Sequence, residues 1–310
     1  MTNNLKIVIQ GQIGGRTQSQ RFLLEISSIA VELGLSLRVL PMGSITGAVP
    51  QDLRSRLLQT FIEFKDNAND SAVDCWVSAG PDPPPNAARR IWIPPSNSII
   101  GETCPGDLEI YPGTTCLPLG INPVRFYPGV IPIPLPLLHG RAVYLYRGPL
   151  KGAMYETLCA GFQNLPMDQA LFIANDYGYE SDTADDSVTR AHPKNCLIFR
   201  NITDERQLAG LYATAAYLIH CDPLPALAVF EALACGVPVL TLNSSALPGD
   251  WWSSLSLQVS NDTDFETIIA TSLGNHEPSK KHVAEACHRI QLEFNWLQVT
   301  RRFLKLLPEK

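Results

Sequence analysis

Glu231 is the one charged residue of a short predicted helix that follows a strand and a loop. Tyr217–His220 is predicted to be a buried strand, and Leu227–Cys235 an apolar helix that ends at Gly236. The first backbone N–H groups of such a helix can bind an anion. A carboxylate one turn further in can accept hydrogen bonds from sugar hydroxyls, so the combination favours a nucleotide-sugar ligand. The alternative is a helix carboxylate that only faces solvent.

Two cations follow another predicted strand, Ala142–Tyr146. Arg147 ends this strand, and Lys151 comes four residues later, where a helix is predicted to begin. Fixed positive charges at the carboxyl end of a strand can neutralise a diphosphate leaving group through charge-assisted hydrogen bonds. The alternative is a strand-end arginine without a chemical role.

Strands and helices alternate on both sides of these residues. In the first part, strands are predicted at Leu5–Gln10, Leu35–Met42 and Val73–Val77, and helices at Thr17–Leu33 and Pro50–Lys65. In the second part, the predicted strands are Ala142–Tyr146, Ala170–Ala174, Cys196–Phe199, Tyr217–His220, Val237–Leu242 and Leu255–Val259, and the predicted helices are Ala153–Asn164, Glu205–Thr214, Leu227–Cys235, Phe265–Leu273 and Lys280–Leu307. This alternation is typical of parallel sheets covered by helices.

A proline-rich stretch separates the two alternations. Fourteen of the 25 prolines lie between Pro81 and Pro136, where short strands fit but helices do not. The end of this stretch, Ile131-Pro-Ile-Pro-Leu-Pro-Leu, is predicted to be an extended linker. At 310 residues the chain is long enough for two domains. We therefore expect one domain over residues 1–136, another over 137–290 and a final helix over 291–310.

The segment Glu231-Ala-Leu-Ala-Cys-Gly-Val-Pro-Val resembles the donor-binding signature of the retaining group 1 (GT4) glycosyltransferases, which have the GT-B fold. That signature usually reads Glu, seven residues, then Glu-Ala-Met-Ala-x-Gly-x-Pro-Val. Arg147 and Lys151-Gly152 resemble the family's Gly-Arg-Leu-spacer-Lys-Gly element after a strand. Residues 116–128 and 193–215 are similar to family segments in the same chain order.

This resemblance implies an α/β protein in which two Rossmann-like domains face each other across a cleft, with the last helix packed back on the first domain. It implies a hexosyl- or other glycosyltransferase that moves a sugar from a nucleotide-diphosphate sugar to an acceptor with retention, without a metal or another cofactor. Arg147 and Lys151 would stabilise the departing diphosphate, and Glu231 would hold the ribose. The donor-binding residues that it implies are Gly14, Gly15, Asp222, Ala226, Leu227 and Glu231.

The chain departs from the family at two places. Pro223 stands where the family's first signature Glu holds a donor-sugar hydroxyl, and Asp222 lies one residue earlier. Family members often carry a histidine after the third strand, whereas no histidine precedes His139 here. These departures motivate a second hypothesis, a catalytically lapsed GT-B module that binds a nucleotide-sugar, a glycan or a partner protein. A GT-B epimerase or phosphorylase is a third.

The composition limits the classes of partner that the protein is expected to bind. A net charge of −6 without a basic run argues against nucleic acid. No apolar stretch approaches the ~20 residues that span a bilayer, and the first residues lack a signal-peptide layout, so a cytoplasmic protein is expected. The eight scattered cysteines indicate neither a zinc site nor a disulfide framework, and Asp262-Thr-Asp264 fits a helix N-cap better than a metal site. The acceptor, whether a glycan, a lipid-linked group or a protein, stays open.

Overall fold

Two parallel β-sheets form the framework of the chain. The structure, a computed structural model, describes residues 7–11, 37–41, 63–64, 75–79, 89–93, 114–116, 120–135, 141–148, 150, 152–166, 170–175, 193–199, 202, 204–221, 227–241, 256–258 and 280–305. The chain divides into two compact units, one made of Met1–Gly120 with Glu293–Lys310 and the other of Ile121–Leu292.

The first unit holds a sheet of six parallel strands. They are β1 (Ile7–Gly11), β2 (Leu37–Pro41), β3 (Glu63–Phe64), β4 (Cys75–Ala79), β5 (Arg89–Ile93) and β6 (Thr114–Cys116). Their order in the sheet is β3-β2-β1-β4-β5-β6, and every neighbouring pair is parallel. This is the strand order of a doubly wound Rossmann sheet.

The short strand β3 corrects one prediction for the first unit. Glu63 and Phe64 pair in parallel with Arg38 and Val39 of β2, although the sequence predicts a helix over Pro50–Lys65. The edge of a sheet can take up two residues of an otherwise helical pattern, because pairing with an existing strand outweighs a weak local preference. The rest of that predicted helix, and the one predicted at Thr17–Leu33, lie outside the described residues.

The second unit holds a sheet with the same strand order. Its strands are β7 (Ala142–Arg147), β8 (Ala170–Asn175), β9 (Cys196–Phe199), β10 (Tyr217–His220), β11 (Val239–Thr241) and β12 (Ser256–Gln258). They lie in the order β12-β11-β10-β7-β8-β9, all parallel. The described helices of this unit are α1 (Ala153–Asn164), α2 (Glu205–Thr214), α3 (Leu227–Ala234) and α4 (Lys280–Glu293). The predicted α/β class with parallel sheets is confirmed.

One face of the second sheet carries an aromatic core. Tyr144 and Tyr146 of β7 and Phe172 of β8 cluster with Tyr155 and Phe162 of α1, all of them buried. Phe162 stacks on Phe172 with ring centroids 4.5 Å apart, an arrangement that adds about 0.5–1.5 kcal/mol beyond the buried area. Because side chains alternate along a strand, the last residue of β7 points to the opposite face.

The helix α3 is buried along its whole length and ends in a glycine turn. All eight of its residues are buried, as the apolar sequence requires. Gly236 has a φ of 78°, a left-handed conformation that favours glycine. Its N–H donates to the carbonyl of Leu233, and the N–H of Val237 donates to that of Ala232, both at 2.9 Å. This Schellman turn fixes where the helix stops, as the sequence predicts.

The almost continuous helical pattern predicted over Lys280–Leu307 forms two helices in the structure. The structure has α4 up to Glu293 and a separate helix, α5 (Trp296–Lys305). Asn295 caps α5, because its side-chain oxygen accepts a hydrogen bond from the N–H of Gln298 at 3.0 Å. α4 belongs to the second unit up to Leu292, and α5 belongs to the first.

The segment 121–135 belongs to the second unit, whereas the sequence analysis ended the first domain at residue 136. The N–H of Ile133 donates to the hydroxyl of Thr214 at 3.0 Å and to the carbonyl of Gly210 at 3.2 Å. A Cβ on Gly210 would lie 3.2 Å from the carbonyl oxygen of Ile131, so glycine permits this close approach to α2. Backbone hydrogen bonding, which proline content does not reveal, thus ties the segment to the second sheet's helices.

Candidate active site

At the carboxyl edge of the second sheet, the connections that follow the two central strands, β7 and β10, run to opposite sides. After β7 the chain passes through α1 to β8 on one side, and after β10 it passes through α3 to β11 on the other. Doubly wound sheets bind ligands in the crevice at such a switch point. Arg147 is the last residue of β7, and His220, with 4% of its surface exposed, is the last of β10.

Arg147 and Glu231 form a buried ion pair at this edge. The guanidinium Nη1 lies 2.7 Å from the carboxylate Oε2, and each side chain is 1% exposed. Glu231 comes from the middle of α3, 84 residues further along the chain. The structure therefore brings two of the predicted catalytic residues together, and each satisfies the charge of the other. Their contact with a donor stays a prediction.

Tyr212 of α2 is the third member of this cluster. Its hydroxyl donates to Glu231 Oε2 at 3.0 Å and accepts a hydrogen bond from Arg147 Nη1. The Arg147 guanidinium carbon lies 5.4 Å from the centre of the Tyr212 ring, which adds a cation–π contact. Burial raises the pKa of the Tyr212 hydroxyl well above its ordinary value of 10.0, and the positive charge of Arg147 offsets part of this rise. At neutral pH the hydroxyl is thus a protonated donor.

Asn175, the last residue of β8, holds the other side of the guanidinium. Its side-chain oxygen accepts from Arg147 Nε at 3.2 Å, while its amide nitrogen donates to the carbonyl of Phe199 at 3.0 Å. Its own carbonyl accepts from the N–H of Gly148 at 3.2 Å. One side chain thus links the carboxyl ends of β7, β8 and β9 and orients Arg147.

Sequence reasoning missed both Tyr212 and Asn175. Tyr212 lies on the apolar face of a predicted helix, where an aromatic residue indicates core packing. Asn175 offered one signal, a polar residue that ends an apolar strand at the edge where ligands bind. Their importance comes from contacts with Arg147 at separations of 65 and 28 residues, which no local pattern shows.

Of the other predicted site residues, one is described by the structure and the rest are not. Leu227 is the first residue of α3 and is buried, so its side chain belongs to the core. Gly14, Gly15, Lys151, Asp222 and Ala226 lie outside the described residues. Gly152, directly after Lys151, has a φ of 93° and precedes the first residue of α1, so the predicted helix start after the lysine is confirmed.

In the described part of the chain, no group of three or more His, Cys, Asp or Glu side chains could hold a metal ion. In the same part, no helix is both long enough and apolar enough to cross a membrane.

These two Rossmann-type sheets, each in its own unit, define the GT-B class of folds. No protein-family model and no curated protein matches the chain. Solved structures do: sucrose-phosphate synthase from Thermosynechococcus elongatus is similar over 97% of this chain and 98% of its own, with a TM-score of 0.65 and 14% identity.

Two further solved structures have the same architecture. HepE of Anabaena, solved in complex with UDP, is similar over 97% of this chain and 99% of its own, with a TM-score of 0.62 and 12% identity. An O-GlcNAc transferase variant of Thermobaculum terrenum is similar over 98% of this chain and 67% of its own, with a TM-score of 0.56 and 14% identity. At these identities the likeness establishes the fold, and the chain has the GT-B fold.

Proposed function

We propose that the protein is a glycosyltransferase that takes a nucleotide-diphosphate sugar as donor and transfers the sugar to an acceptor with retention. The observation that carries this proposal is the buried Arg147–Glu231 pair, which lies at the carboxyl end of the switch-point strand β7. Doubly wound sheets bind nucleotides at this place. Solved structures with the same fold, among them HepE in complex with UDP, support the same class of ligand.

Arg147 and Lys151 would share the charge of the diphosphate. In the structure Arg147 is neutralised by Glu231, so a diphosphate that binds Arg147 competes with that carboxylate. A carboxylate released in this way could accept hydrogen bonds from ribose hydroxyls. Lys151, four residues further along, adds a positive charge of its own. We therefore expect Lys151 to contribute most to diphosphate affinity, by about 1.5–3 kcal/mol.

In this proposal the sugar nucleotide is a co-substrate, and neither a metal nor another cofactor takes part. Positive charge from Arg147 and Lys151 would stabilise the leaving diphosphate in the transition state. Asp222, Ala226, Leu227, Gly14 and Gly15 would also contribute to binding of the donor. The acceptor is a glycan, a lipid-linked group or a protein.

Pro223 limits how the donor sugar is held. Proline has neither an N–H nor a side-chain acceptor, so its side chain cannot bind a sugar hydroxyl as a glutamate does. We expect affinity to follow the nucleoside diphosphate and to change little between its sugar conjugates. A conjugate bound about a hundredfold more tightly, roughly 2.7 kcal/mol, would reveal a sugar pocket. Asp222→Ala then tests whether the neighbouring carboxylate forms it.

A second candidate function is supported by a specific observation. Arg147 and Glu231 are bonded to each other and are 1% exposed, as in a structural ion pair. A catalytically lapsed GT-B module would bind a nucleotide-sugar, a glycan or a partner protein without turnover.

The two candidates differ in turnover. The purified protein is incubated with UDP-, GDP- and ADP-sugars, and release of the nucleoside diphosphate is measured. A transferase should hydrolyse one donor slowly without an acceptor, and Lys151→Ala should slow this release by about tenfold or more. The matched control is Lys194→Ala, because Lys194 is exposed and precedes β9, at the opposite edge of the same sheet. Binding without release would favour the lapsed module. If the protein neither binds nor hydrolyses any of these donors, the proposal is contradicted.

A further inference from the structure

We infer that Tyr212 is a positioning residue for the donor site: its hydroxyl holds the Glu231 carboxylate in place when Arg147 turns to a donor diphosphate. This inference rests on the proposed function. It assigns a role to a residue of α2, a helix that lies in the family-like segment 193–215 but carries none of the predicted site residues.

The hydroxyl of Tyr212 stands between the two charged groups. Glu231 Oε2 accepts from both Tyr212, at 3.0 Å, and Arg147 Nη1, at 2.7 Å. Arg147 also donates to the tyrosine oxygen and, through Nε, to Asn175. The carboxylate therefore has one charged and one neutral donor among its contacts, and the neutral one does not compete for a phosphate.

Loss of the charged donor would be costly without the neutral one. Glu231 lies in the middle of a helix whose other residues are all apolar and buried. A buried carboxylate that loses its cation is strongly destabilised unless hydrogen bonds remain. Tyr212 supplies such a bond, and its raised pKa keeps the hydroxyl protonated as a donor. Binding of a diphosphate to Arg147 should therefore be easier with the hydroxyl than without it.

Tyr212 is itself held rigidly. Its side chain is fully buried, and the Phe126 ring meets it edge-on with centroids 6.2 Å apart and planes at 70°. The hydrogen bonds from Ile133 to Gly210 and Thr214 fasten α2 on both sides of Tyr212. A phenol fixed in this way can set the position of a neighbouring carboxylate.

Tyr212→Phe tests the inference because it removes the hydroxyl and keeps the ring. UDP, GDP and ADP are titrated into the wild-type protein by calorimetry, and the tightest of them is used with the variants. We expect Tyr212→Phe to bind it at least tenfold more weakly, about 1.4 kcal/mol. The matched control is Tyr144→Phe, which removes a buried hydroxyl from the aromatic face of the same sheet and should change affinity less than about twofold.

A double-mutant cycle separates positioning from a general structural effect. In Glu231→Gln no carboxylate charge needs support, so adding Tyr212→Phe should then change affinity by less than about twofold. Additive losses would assign Tyr212 a structural role only and overturn the inference. Wild-type affinity in Tyr212→Phe would overturn it while leaving the proposed function intact. If no nucleoside diphosphate binds the wild-type protein, the proposed function fails, and the positioning role fails with it.

Discussion

Replacing Glu231 by alanine should lower the free energy of unfolding by about 3–5 kcal/mol, because a buried cation would lose the carboxylate that neutralises it. The Arg147 side chain is 1% exposed, so water cannot replace the carboxylate that lies 2.7 Å from it. Asn175 and Tyr212 would remain as hydrogen-bond partners, but both are neutral. The helix would also lose the volume of a side chain that fills its buried face.

The assay is equilibrium unfolding in urea, followed by far-ultraviolet circular dichroism. The double variant Arg147→Met/Glu231→Leu removes both charges together and should lie within about 2 kcal/mol of the wild-type protein, because apolar residues of similar size can replace a buried ion pair. Glu285→Ala is the matched control: its carboxylate is 61% exposed and 3.8 Å from Lys281, so it should change stability by at most about 0.5 kcal/mol. A loss below about 1 kcal/mol for Glu231→Ala would refute the assignment of a buried pair.

Three further predictions concern stability. Gly120→Ala should destabilise the protein by about 1–3 kcal/mol, because a Cβ there would overlap the Trp296 indole ring; urea unfolding measures this loss. Asp204→Ala should cost about 1 kcal/mol, because the Asp204 carboxylate caps α2 by accepting from a backbone N–H at 2.9 Å, and thermal unfolding checks it. Burial raises the pKa of both Cys196 and Cys235 from 9.0 to about 12. The unfolded chain therefore loses these protons first, and stability should fall as pH rises from 9 towards 12, by up to about 1.4 kcal/mol per pH unit for each thiol. Urea titrations across that range should show a shallower fall in Cys235→Ala.

Local patterns in the sequence predict the second unit well. The predicted bounds of α1, α2, β9 and β10 agree with the structure at both ends. These elements are strongly apolar or amphipathic and begin or end at recognisable boundary residues, such as the N-cap Asp204. Local pattern and global fold agree there, which is why single-sequence reasoning suffices.

The predictions fail where a contact between distant residues decides the outcome. The strand β3 is an example: Glu63 and Phe64 lie in a predicted helix but pair with β2. Likewise, the sequence predicts a ligand site at Glu231 but does not show that Arg147 neutralises it, since the two residues meet only through the order of the strands. The residue types of the candidate site can be read from the sequence, whereas the pairing between them cannot.

The central claim is that a nucleoside diphosphate binds at the carboxyl edge of the second sheet. Calorimetric titration of UDP, GDP and ADP beside their monophosphates tests it most directly, in the wild-type protein, Lys151→Ala and Lys194→Ala. The account predicts that one diphosphate binds the wild-type protein at least about tenfold more tightly than its monophosphate, and that Lys151→Ala alone removes this preference, about 1.4 kcal/mol. Equal affinity for mono- and diphosphate, or the same loss in Lys194→Ala, would contradict it.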